Sequence, residues 1–297
     1  MGKGVVRVKV STMLKLGRMS NLPTIWTNTA VGLAFAGLLT DYTLAIIAMV
    51  AMSLMYIGGM FLNDAFDAKW DAQHNATRPI PSKETTVEEA AAFGSLFFLA
   101  AILLIVTIAR EEQIISALIS AVGLIVCILI YDWKHKAWSF SAWIMGACRL
   151  LVYVTAADLL SNSGWPVLAI GACVMAYIAG ITYLARSEHL NQMNSMWPIA
   201  LLYCPTATVI YFASITNNFS IILLATLLAT IFWTLYSIRS LMPGETRNIG
   251  KAISNLLAGI CLLDASFLFL LDQVILGRFA LVAFILCLLL QRKIPAS

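Results

Sequence analysis

Asn63-Asp64-Ala65-Phe66-Asp67-Ala68-Lys69-Trp70-Asp71 closes a long apolar run and holds three aspartates and an asparagine. At ~100° per residue of helix, with Asp67 at zero, Asn63 lies at about −40°, Asp71 at about +40° and Asp64 at about +60°. Four oxygen-bearing side chains therefore share an arc of about 100°. Such a face repels itself unless something positive sits on it. Hard divalent cations, Mg2+ above all, take oxygen ligands, often one or two carboxylates together with a substrate phosphate. The plainer alternative is a solvated helix end. The regular spacing, and the position of this helix end at a membrane surface, weigh against it.

The membrane assignment rests on composition. Of 297 residues, 61% are hydrophobic and 11% charged, with a mean hydropathy of +0.87. No soluble domain of this length has that balance, so the fold class is an all-α, polytopic transmembrane bundle. Apolar spans are predicted at roughly 24–40, 43–62, 88–108, 113–131, 141–160, 165–184, 197–214, 219–238, 251–271 and 276–291, which makes nine to ten helices. No polar linker interrupts them, so residues 1–297 read as a single domain. It opens with a basic amphipathic segment, 1–22, carrying Lys3, Arg7, Lys9, Lys15 and Arg18 and expected on the membrane surface. An apolar core with a cleavage site is absent there, so no cleaved signal peptide is expected. The six cysteines lie in apolar runs without CxxC spacing and read as small buried residues. The net charge of +4 does not point to nucleic acid.

Of the 19 Lys and Arg residues, only Arg110 and Arg278 fall opposite the N-terminus, and Arg149 lies inside a span. The positive-inside rule then predicts a cytoplasmic N-terminus, cytoplasmic long loops and, with ten spans, a cytoplasmic C-terminus. The longest of these loops contains Arg78-Pro79-Ile80-Pro81-Ser82-Lys83. Its prolines stiffen the backbone and would hold Arg78 and Lys83 beside the acidic face. Phosphate oxygens need such cations, and Arg suits bidentate contact. A rigid turn in an ordinary positive-inside loop is the alternative.

Arg149 lies about eight residues into its span, roughly 12 Å deep. An arginine at that depth is costly and faces a polar cavity or an anion, unless it snorkels to the surface. Gly146, Ala147 and Cys148 beside it permit close helix approach. Asn28, in the first span, is expected in the same cavity. Asp264, at mid-span, needs a partner, and Asp158, near the far surface, is expected to be solvated.

Asn63–Asp71 followed by Arg78-Pro79-Ile80-Pro81-Ser82 closely resembles the UbiA family of intramembrane prenyltransferases, whose signature is NDxxDxxxD and then an RP-type turn. The resemblance covers most of the chain. Tyr131-Asp132-Trp133-Lys134-His135-Lys136 looks like the family's tyrosine-plus-basic segment. The departure lies in Tyr183-Leu184-Ala185-Arg186-Ser187-Glu188-His189-Leu190-Asn191, where the family keeps a second aspartate-rich motif. Arg186 is present, but Glu188 is the only carboxylate. Three consequences stay open: one Mg2+ suffices, Glu188 and its neighbours make a weaker site, or catalysis is lost.

The resemblance implies a bundle of usually nine helices. It also implies Mg2+-dependent transfer of a prenyl group from a prenyl diphosphate to a small aromatic or lipid-like acceptor. Carried onto this sequence, Asn63, Asp64, Asp67, Asp71 and Glu188 are the metal ligands. Asp67, Asp71, Arg78, Lys134 and Arg149 act on the departing diphosphate. Asn28, Lys83, Tyr131, Tyr153 and Arg186 bind substrate, the tyrosines offering ring faces to the cation that forms. A prenyl-lipid-binding membrane protein without catalysis, its second site degenerate, is the alternative. A CDP-alcohol phosphotransferase would need DGxxAR after its first Asp pair, and that pattern does not occur.

Overall fold

Hydrocarbon offers no hydrogen-bond partners to backbone N–H and C=O groups, so a spanning chain satisfies them within helices. The computed structural model describes residues 10–37, 41–186, 196–241 and 248–293, and among them all regular structure is helical. A short helix α1 (Val10–Leu16) and a 3-10 turn (Met19–Asn21) lead into α2 (Leu22–Phe35). Then come α3 (Tyr42–His74), α4 (Val87–Ile108), α5 (Ile114–Lys134), α6 (Ser141–Asp158) and α7 (Trp165–Arg186). The short α8 (Pro198–Leu201) continues into α9 (Cys204–Thr216), followed by α10 (Ile221–Arg239), α11 (Ile249–Leu270) and α12 (Val274–Gln291).

These helices match the ten predicted spans, with α8 and α9 together forming the seventh. Among the described residues, eight units are long and apolar enough to cross a membrane. The other two are α2, with only 14 residues, and α6, whose 18 residues are diluted by Arg149 and Asp158. Both stand inside the bundle rather than against lipid. Every residue of α2 from Leu22 to Ala34 is buried except Trp26. By contrast α5 turns a stripe of Ile115, Ile119, Val122 and Val126 outward, as a lipid-facing helix does.

Three features position the site. The 33 residues of α3 span about 50 Å, so its last turns stand clear of ~30 Å of hydrocarbon and carry the acidic stretch out to one rim of the bundle. Asp41 caps its other end by accepting the Leu44 amide. Helix α4 starts on a capping box between Thr86 and Glu89, which ends the intervening loop cleanly. Finally, two glycines bring α6 against its neighbours. A Cβ on Gly32 of α2 would overlap the Tyr153 carbonyl, and one on Gly146 of α6 would overlap the Met175 carbonyl of α7.

Part of the N-terminal segment predicted to lie on the membrane surface instead docks on this rim. Leu16 is buried with Leu22, Ile57 and Phe61. Thr12 Oγ1 donates to Glu84 Oε2 at 2.7 Å, and Lys15 lies 3.8 Å from the same carboxylate. Residues 1–9 lie outside the described residues. All six cysteines are unpaired; Cys261 and Cys287 are buried as expected, whereas Cys127, Cys148, Cys173 and Cys204 are only partly so.

Candidate active site

The acidic arc of α3 faces inward. Asn63, Asp64 and Asp71 are buried, and the Asp67 side chain is 13% exposed. Each member meets a partner from another segment. Arg78 Nη1 donates to Asp64 Oδ1 at 3.0 Å and lies 3.6 Å from Asp71 Oδ2. The proline loop aims it there, for Ser82 N–H closes on Arg78 O at 2.9 Å and Glu84 N–H on Pro79 O at 2.9 Å. Lys136 Nζ donates to Asp67 Oδ1, and His135 Nε2 lies 3.4 Å from Oδ2. Arg18, in the left-handed region at φ 42°, donates to Asn63 Oδ1 at 3.3 Å and lies 3.7 Å from Asp64. Asn63 Nδ2 donates in turn to Asp132 Oδ1 at 2.9 Å.

Two cavities open on either side of Asp132. The outer one, about 390 Å3, lies between α3 and the end of α5 and includes Asp67, His135 and Lys136. The inner one, about 230 Å3, is walled mainly by apolar chains such as Met52, Met55, Ile128 and Leu257. Arg18, Tyr56, Tyr131, Asp132 and Arg149 are its polar groups apart from Asn21 and Thr182. The acidic rim thus adjoins an apolar chamber through Arg18 and Asp132, which line that chamber and contact the arc.

Arg149 does not snorkel. It is 8% exposed, and Nη1 donates to Thr24 Oγ1 at 3.0 Å and to Asn28 Oδ1 at 2.8 Å, with its guanidinium over the Tyr56 ring. Behind it lies a closed polar network. Asp264 accepts from Asn28 Nδ2 at 2.7 Å and from the hydroxyls of Thr27 and Tyr153 at 2.5 Å each. Those are the partners the sequence left unnamed. They come from α2 and α6, more than a hundred residues away.

The expected site residues divide accordingly. Asn63, Asp64, Asp67, Asp71 and Arg78 come together at the rim, and Tyr131 and Arg149 line the inner cavity. Asn28 and Tyr153 do not line it; they are packed behind Arg149, where Asn28 accepts from Arg149 and donates to the Tyr153 hydroxyl. Lys134 turns its ammonium over the Trp133 and Trp138 rings, and Lys136 takes the place beside Asp67. Lys83 is exposed at φ 63°. Arg186 is occupied with the carbonyls of His135, Trp138 and Ser139, tying α7 to the α5–α6 loop. Glu188 lies outside the described residues. Asp158 is buried rather than solvated, accepting the Ser163 amide at 2.8 Å.

Arg18, Tyr56, Asp132 and Lys136 were missed as site residues. Arg18 sits 45 residues before Asn63, and nothing in a basic leader marks one arginine out. The signal for Asp132 and Lys136 was their place in the Tyr131–Lys136 segment, although Lys136 lies past the end of α5.

Whether a hard cation fits is a question of donors. The α3 arc offers oxygen ligands only, and Asp132 Oδ2 is a buried acceptor with no hydrogen-bond partner among the described residues. Among those same residues no three His, Cys, Asp or Glu side chains already converge as a closed metal site. The arc carboxylates turn instead to Arg18, Arg78, His135 and Lys136. The donor set fits Mg2+, and its carboxylates are paired with cations.

Comparison with known proteins bears on this geometry. The model of the UbiA prenyltransferase family matches residues 24–255. A digeranylgeranylglyceryl phosphate synthase of Methanopyrus kandleri is 26% identical over 241 residues, covering 68% of this chain and 87% of the relative. A solved UbiA homologue from Archaeoglobus fulgidus, bound to GPP and Mg2+, superposes with a TM-score of 0.65 at 16% identity, over 89% of this chain and 99% of that one. A solved structure described as digeranylgeranylglyceryl phosphate synthase superposes at 0.59 with 20% identity, over 93% and 98%. At these identities the two structures establish the shared fold.

Proposed function

Since the chain belongs to the UbiA prenyltransferase family, we propose that it moves a prenyl group from a prenyl diphosphate to a lipid-like acceptor within the membrane, with Mg2+ on the acidic arc of α3. The observation that carries this reading is the arc itself, ringed by cations and joined through Arg18 and Asp132 to an apolar cavity that those two residues line. The product named for the Methanopyrus relative, digeranylgeranylglyceryl phosphate, favours a lipid-like acceptor over an aromatic one. The excess of Lys and Arg on the α3 rim favours a cytoplasmic placement of that rim and of the N-terminus.

Asn63, Asp64, Asp67 and Asp71 would hold the ion. Bound there, Mg2+ supplies charge neutralisation that makes diphosphate a better leaving group. Arg18, Arg78 and Lys136 contribute fixed positive charge around the same oxygens. Arg149 presents a desolvated guanidinium to the inner cavity, where an anionic part of a substrate finds its counter-charge. The methionine-rich wall accommodates an isoprenoid tail of varied shape. Enclosure keeps water from the allylic carbon once its C–O bond has given both electrons to the diphosphate. The Tyr131 and Tyr56 rings lie within the same chamber.

The test is release of pyrophosphate by the purified protein with Mg2+ and a panel of prenyl diphosphates, with the prenylated product identified in lipid extracts. Asp67→Ala should abolish turnover; undiminished turnover removes the site assignment. A second reading, a prenyl-lipid binder without catalysis, is favoured by the single carboxylate of 183–191. No pyrophosphate release with any donor and acceptor would favour that reading instead.

A further inference from the structure

We infer that Asp132, on α5, is a direct ligand of the divalent cation, so that the ion is gripped between two helices rather than by α3 alone. The inference rests on the proposed function above. Asp132 is 4% exposed at the end of α5. Its Oδ1 is fixed by the Asn63 amide, and its Oδ2 is buried without any hydrogen-bond partner among the described residues. A buried acceptor is ordinarily satisfied, and one without a partner calls for a water or an ion to complete it. Asp132 is also the one residue lining both cavities, with Asp67 on the outer wall and Arg149 on the inner one.

Charge distribution points the same way. Arg78 is taken by Asp64 and Asp71, Lys136 and His135 by Asp67, and Arg18 lies against Asn63 and Asp64. None of these ion pairs includes Asp132. A carboxylate on the wall between two cavities, with one buried oxygen unpartnered and the other held by an asparagine of the arc, is a hard oxygen donor suited to a hard cation. It also answers the thin 183–191 segment, whose single carboxylate leaves the ion short of charge from outside α3. Asn63 holds Asp132 in register with the arc, and outer hydrogen bonds of that kind commonly orient metal ligands.

Titration of the full-length protein in nanodiscs with Mn2+ and geranyl S-thiolodiphosphate, an unreactive donor, followed by electron paramagnetic resonance, tests this without turnover. Asp132→Asn should weaken Mn2+ binding by about tenfold or more. Asp132→Glu should retain more of it than Asn does, and Glu111→Gln, an exposed carboxylate on the opposite rim, should leave it unchanged. Thermal unfolding confirms that each variant is folded, and Asp132→Ser replaces Asn if Asn is not. Wild-type affinity in folded Asp132→Asn overturns the inference and leaves the proposed function standing, because a water or a proton then satisfies Oδ2. Failure of the wild-type protein to bind Mn2+ overturns both.

Discussion

Asp264 has no exposed surface, yet its two oxygens accept three hydrogen bonds, from Thr27, Asn28 and Tyr153. Removing it leaves three donors buried in an apolar interior, so Asp264→Ala should lower stability by about 3 kcal/mol or more. The check is a thermal melt in detergent. The same bonds turn Asn28 so that its carbonyl, not its amino group, meets Arg149. Asn28→Leu should therefore raise KM more than it lowers kcat, because Arg149 stays but loses its aim. At the rim, the geometry separates two lysines that look alike in the sequence. Lys136→Ala should cut turnover by about a hundredfold, while Lys134→Ala, which loses only its stack on Trp133 and Trp138, should leave turnover near wild type. Steady-state kinetics on the pair decides whether the ammonium beside Asp67 is the one that matters.

Helices α2 and α6 carry the polar groups that a membrane helix exposed to lipid cannot carry, and they do so because they face each other. Gly32 and Gly146 make this possible by letting backbones approach without a side chain between them. Gly146→Leu should drive α6 from the Met175 carbonyl and shift Arg149 out of the inner cavity. The expected result is a lower melting temperature together with lost turnover. Gly123→Ala is the matched control, since an added Cβ there meets nothing closer than 3.9 Å; its stability should stay within about 0.5 kcal/mol of wild type. The length of α3 matters in the same manner. A helix ending at the hydrocarbon boundary would leave Asp67 and Asp71 in lipid, whereas 33 residues carry them beyond it.

Across the whole molecule, the rim bearing α1, the end of α3 and the α5–α6 loop collects the charge, and the opposite rim carries Arg110 bonded to Leu160 O. Cysteines introduced at Lys83 and Arg110 should react with a membrane-impermeant maleimide from opposite sides of sealed vesicles. Labelling from one side would break the proposed topology. Chelation of divalent cations should abolish prenyl transfer, and Mg2+ should restore it.

The ten apolar stretches, the helical fold class and the acidic arc were legible from residue order alone. Hydropathy and the 100° helical step are local properties, set by neighbours within one or two turns. So was the depth of Arg149, which follows from counting along a single helix. Partners were not legible. Lys136 and Lys134 differ by two positions, and only the path of the α5–α6 loop determines which one reaches Asp67. Tyr153 looked like a substrate-facing ring until α2 and α11 closed over it, and Arg18 looked like one more basic residue of a leader. The amino-acid order determined that this chain is a membrane-embedded bundle with an oxygen-rich helix end, because burial in lipid and helical periodicity act within each segment. Tertiary structure alone decided which cations meet those oxygens, and that Asp132 is left with a free one, because those contacts depend on how helices far apart in sequence cross and at what height.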